Sequence, residues 1–93
     1  MQSATELVIE RPERWAKQLA SHIGHRAEVE GADGVYTVRF GFGATGSIST
    51  SETAVLLRVE ADAQQELERA KDVLGSHLLR FAKLEDSVTL SWL

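Results

Sequence analysis

The sequence predicts an α+β fold: a two-layer sandwich, β-α-β-β-β-β-α-β, with two helices on one face of a mostly antiparallel sheet. Three observations predict it. Apolar residues recur at helical spacing in two stretches, one opening at Pro12 and one at Asp62. Around them the apolar residues alternate at strand spacing. Both helical stripes need cover, and the strands offer one strongly apolar face, so the helices share it and leave the other face open.

Thr5 to Glu10 alternates, with Leu7 and Ile9 on one side and Glu6, Val8 and Glu10 on the other, which reads as a short strand. Arg11-Pro12 interrupts it, and Pro12 suits a first helical turn, where its missing N–H is not needed. From Pro12 to about Gly24, Trp15, Leu19 and Ile23 fall at i, i+4 and i+8, flanked by Ala16 and Ala20. Glu10–Arg14 and Glu13–Lys17 are i, i+4 pairs in the favourable order, and Gly24 is a fitting stop.

Ala27 to Glu30 reads as a strand, and Gly31-Ala32-Asp33-Gly34 as a turn, with Asp-Gly a strong hairpin signal. Val35 to Phe42 alternates, with Tyr36, Val38, Phe40 and Phe42 on one side. Gly41, Gly43 and Gly46 mark a bend or bulge. Ser47 to Thr50 reads as a polar strand at a sheet edge. Ala54 to Ala61 is the clearest strand, with Val55, Leu57 and Val59 inward and Arg58 and Glu60 outward. Asp62 with Gln65 resembles a capping box for a second helix, whose stripe is Leu67, Ala70, Leu74, Leu78 and Phe81. Val88, Leu90 and Trp92 alternate in a closing strand.

Ninety-three residues read as one domain, 1–93. A net charge of −4 argues against general affinity for nucleic acid or anionic membranes. Without cysteine there are no disulfides, no thiol chemistry and no thiolate metal sites. No apolar run approaches the roughly 18–20 residues of a membrane span. The opening Met1-Gln2-Ser3-Ala4-Thr5-Glu6 has neither the basic nor the apolar region of a signal peptide. The expected location is cytoplasmic.

Certain stretches carry a resemblance. They are Trp15 to Leu19, Ser21-His22-Ile23-Gly24-His25-Arg26, the glycine-containing β segment Gly34 to Ser49, Leu57 to Ala63, Asp72 to Ala82 with its Gly75-Ser76-His77-Leu78-Leu79-Arg80-Phe81-Ala82, and Trp92. Together they resemble a small bacterial family, domain of unknown function 2218, from about Ile9 onward. That family has no established activity. Attachment of some members to proteins resembling siderophore-interacting, flavin-dependent ferric reductases implies an accessory role in iron or siderophore metabolism. Two departures matter. Ala20 stands where a cysteine is common, and Ser47 to Ser51 replaces a more acidic stretch.

The three histidines are the candidate chemical groups. His22, His25 and His77 lie near the ends of the two helices, and side-by-side packing would let them approach one another. Two readings are open. One is a divalent-metal site, for zinc or ferrous iron, with an open position for water. The other is a packed, hydrogen-bonded His77 with His22 and His25 as helix-end surface groups. No His-Glu-x-x-His motif, Walker loop or Gly-x-Ser-x-Gly elbow is present, and the glycine run leads into a strand. Arg39, Arg58 and Arg80 are the basic residues suited to a ligand or partner. Arg39 and Arg58 point away from the apolar rows of what read as adjacent strands, towards an anion on the open face or towards Glu28 and Glu60.

The resulting reading is a binding or accessory module without catalysis of its own. It meets a protein partner or a second copy through the open sheet face or the polar edge at Ser47 to Thr50. The alternative is a metal carrier or metal-dependent enzyme centred on the three histidines.

Overall fold

The computed structural model describes residues 1–93. Seven regular elements occur in the order β1 (Gln2–Val8), α1 (Pro12–Ile23), β2 (Glu28–Ala32), β3 (Val35–Arg39), β4 (Ala44–Thr50), β5 (Ala54–Ala61) and α2 (Gln64–Phe81). The strands form one antiparallel sheet in the order β1-β5-β4-β3-β2. The α+β architecture, with both helices packed on one sheet face, is the one expected.

Local chemistry accounts for the hairpins. Asp33 and Gly34 both have positive φ, 54° and 80°, which is the requirement of the two-residue turn whose twist matches its strands. Between β3 and β4 the chain turns through Phe40 to Gly43, and Phe40 N donates to Ala44 O at 2.9 Å.

The core lies between the layers. Leu19 and Ile23 of α1 and Leu74 and Leu78 of α2 meet Val38, Ile48, Val55, Leu57 and Val59 of the sheet, all under 2% exposed. Gly46 is where α2 comes closest, because a Cβ there would lie 3.0 Å from Leu74 Cδ1 and 3.3 Å from Arg58 O.

Three expectations are corrected. The Ser47 to Thr50 stretch is not an edge: β4 is the central strand. Its Ala44, Gly46 and Ile48 are buried, while Thr45, Ser47 and Ser49 alternate with them on the other face. Polarity on an uncovered face looks, in sequence, like polarity at an edge.

Asp62 does not cap α2. The N-cap is Ala63, in extended conformation and without a side-chain bond, and its carbonyl accepts from Leu67 N at 3.0 Å.

Residues 88–93 form no ladder. They lie along the outer side of β1, held by reciprocal Ala4–Leu93 backbone bonds of 3.2 and 2.8 Å. Hydroxyls supply the other links, from Ser3 to Leu93 O and from Thr5 to Ser91 O, each at 2.7 Å. A Cβ on Gly75 would contact Leu90 and Trp92, so that glycine leaves the space in which this segment rests on α2.

Candidate functional site

Helix packing brings two of the three histidines together. His22, in the last turn of α1, faces His77 of α2 with ring centroids 5.1 Å apart and planes tilted by 38°. The edge of Phe81 closes the cluster, 5.0 Å from His22 at 80°. His25 takes no place in this stack. α1 ends at Ile23, and His25 N bonds back to His22 O in a tightening turn, leaving its side chain exposed. No three His, Cys, Asp or Glu side chains are grouped to hold a metal ion, so a facing pair replaces the three-imidazole centre.

Each imidazole is chemically defined. His77 Nδ1 lies 2.6 Å from Val73 O. A carbonyl only accepts, so Nδ1 carries the hydrogen and neutral His77 offers its lone pair at Nε2. His22 is held below its ordinary value of 6.5, first by burial and then by the positive charge of His77, Arg26, His25 and Arg80. Unfolded, it takes up a proton near 6.5; folded, it resists. The penalty is therefore absent above that pH and grows as pH falls through it. Urea stability is expected to drop between about pH 8 and about pH 5, and His22→Leu to flatten part of the slope. An unchanged slope in that variant would exclude His22 as its source.

Beside the histidine pair opens a cavity of about 490 Å³. His77 and Val73 of α2 form one wall, and Ile23 and Arg26 at the end of α1 a second. The third is the β3–β4 turn, where Phe40 and Phe42 stack with centroids 5.0 Å apart and planes within 27°. Arg69 closes it, its guanidinium carbon 4.2 Å from the Phe42 ring centroid. No carboxylate lines the cavity. The chain's two ion pairs, Arg39–Glu30 at 3.5 Å and Lys71–Glu68 at 3.0 Å, involve neither Arg26 nor Arg69.

The three arginines singled out from the sequence do not converge. β4 separates Arg39 on β3 from Arg58 on β5, so the two are not on adjacent strands. Arg39 pairs with Glu30 at the surface, an arrangement that contributes little. Arg58 lines a broad trough of about 900 Å³ on the open face, with Glu6, Val8, Val35, Leu56 and residues near 88–93. Arg80 lies on the opposite side, close enough to influence His22. Arg26, Arg69, Phe40 and Phe42 were the residues missed. For the two phenylalanines the signal was the alternation with glycine from Phe40 to Gly43; for the two arginines the sequence holds none.

No carboxylate orients either imidazole, and Ser76 donates to Asp72 O within its own helix. Fold and site thus define a small α+β domain with a cationic, aromatic-walled recess where its helices meet a hairpin turn. The match of residues 4–93 to the family described as uncharacterized protein conserved in bacteria, DUF2218, shows that the chain belongs to that family. No curated protein matches. Among solved structures, the NMR structure of PA4090 from Pseudomonas aeruginosa is similar, with a TM-score of 0.81, 24% identity, and coverage of 99% of this chain and 94% of that one. At that identity the likeness shows the fold.

Proposed function

We propose that this chain is a bacterial binding or accessory module, with no reaction of its own, whose ligand site is the recess between His77, Arg26, Arg69 and the Phe40–Phe42 turn. The observation that carries the reading is convergence. Three separate elements bring two arginines without carboxylate partners, a stacked aromatic pair and an oriented histidine to one cavity. The larger open-face trough holds Arg58 and Glu6 but no such concentration, and it is the surface proposed to meet a protein partner or a second copy. A cytoplasmic location belongs to the same proposal, as does a place in iron or siderophore metabolism, which is supported only by the family resemblance.

The test uses Gly41, which lines the recess and where a Cβ meets nothing within 4 Å. Gly41→Trp is expected to occlude the cavity while leaving the fold intact. In a thermal-shift screen of small metabolites, a true ligand raises the midpoint of the native chain and not that of Gly41→Trp. If every stabilising compound acts equally on both, the recess is not the site.

A second reading, a metal carrier or metal-dependent enzyme, rests on the His77 Nδ1–H bond to Val73 O. That bond fixes the tautomer in the way metal-ligating histidines are commonly held, with Nε2 left as the donor atom. Titration with zinc or ferrous ion would show binding that His77→Ala abolishes; equal binding by both proteins would end this reading.

A further inference from the structure

Resting on the ligand-site reading above, we propose that the recess takes a planar aromatic monocarboxylate, its ring against the Phe40–Phe42 stack and its carboxylate between Arg26 and Arg69.

The anionic half follows from charge. Arg26 and Arg69 are outside the chain's ion pairs, and the cavity lining holds no acid. A guanidinium matches a carboxylate in two parallel hydrogen bonds. Arg69 is already oriented by its position 4.2 Å from the centre of Phe42, so less freedom is lost when it engages.

The aromatic half follows from the walls. Phe40 and Phe42 lie within 27° of parallel, and the Arg69 guanidinium carbon sits 4.2 Å from the Phe42 ring centre. A ring laid against them continues the pattern, whereas a puckered ring loses the offset contact. Ile23 and Val73 supply the apolar remainder. A cavity of about 490 Å³ falls in the range of small-molecule pockets and has room for a ring and its carboxylate.

The helix end opposes negative charge, a dianion more strongly than a carboxylate. α1 terminates at Ile23, on the cavity wall, and the partial negative charge of its last carbonyls disfavours a dianion. No helix follows the glycine-containing turn to present backbone N–H groups, so the more strongly hydrated phosphate would have only the two arginines to replace its water.

Calorimetric titration of the full chain with benzoate, benzamide, cyclohexanecarboxylate and inorganic phosphate tests the assignment. Benzoate is expected to bind about tenfold more tightly than benzamide, since removing the charge removes a charge-assisted bond. Cyclohexanecarboxylate and phosphate should each bind several-fold more weakly than benzoate. Arg69→Gln, an exposed substitution, should bring benzoate to the level of benzamide and leave benzamide unchanged. Equal affinities for benzoate and benzamide, tighter binding of phosphate, or benzoate binding unaffected by Arg69→Gln and Arg26→Gln would each overturn the proposal. If benzoate fails while compounds of another class stabilise the native chain and not Gly41→Trp, the ligand class is wrong and the recess remains the site. If no compound distinguishes those two proteins, both readings fail.

Discussion

Leu74→Ala is expected to remove about 3–5 kcal/mol of stability, because a fully enclosed leucine is lost and the cavity cannot close. Leu74 is 0% exposed and reaches down from α2 to the backbone of β4 at Gly46. Urea denaturation checks the loss. The same contact predicts a coupling. Gly46→Ala alone overpacks the interface, since its Cβ would lie 3.0 Å from Leu74 Cδ1, and costs about 1–3 kcal/mol. In the Leu74→Ala background the closest of its contacts is gone and Arg58 O at 3.3 Å remains, so the double variant is expected to be more stable than the sum of the single losses, by roughly the 0.5–3 kcal/mol usual for contacting residues. Strict additivity would mean that α2 does not lie over Gly46.

Ile48→Ala is the second large effect, with an expected loss of about 2–5 kcal/mol. Ile48 is 0% exposed and paired on both sides, to Tyr36 of β3 and Leu57 of β5. A strand at the sheet's edge with an exposed side chain would lose no more than about 0.5 kcal/mol. Ser49→Ala, one residue on and directed to the open face, is expected to fall in that small range. The pair of measurements therefore separates the helix-covered face of β4 from its open face.

Element type and face were legible because they depend on local period. The Val55, Leu57, Val59 alternation, the Leu67 to Leu78 stripe and Asp33-Gly34 each carry their own geometry in neighbouring residues. Strand order was not legible. Thr45, Ser47 and Ser49 are polar because they face away from the helices, and that pattern is identical whether the strand is central or peripheral. The segment 88–93 kept the alternation of a strand, but its bonding relies on Ser3 and Thr5 hydroxyls more than 80 residues away in sequence.

The site shows the same division. His22 and His77 lie on or beside the apolar stripes of helices that share one sheet face, so their approach could be anticipated. His25 could not be placed without knowing that α1 stops at Ile23. Nothing in the sequence around Arg26, past a helix end, or Arg69, on a helix's polar side, sets them apart from other charged residues. Only the tertiary packing sets them around the Phe40–Phe42 turn.

The central claim is that recognition occurs in the recess between the helix ends and this turn. Backbone amide shifts of the isotope-labelled chain, followed during titration with benzoate, test it most directly. Changes are expected to concentrate at Arg26, Phe40 to Gly43, Arg69 and His77. Changes centred instead on Ser47, Leu56 and Arg58 of the open face, with the recess silent, would contradict it.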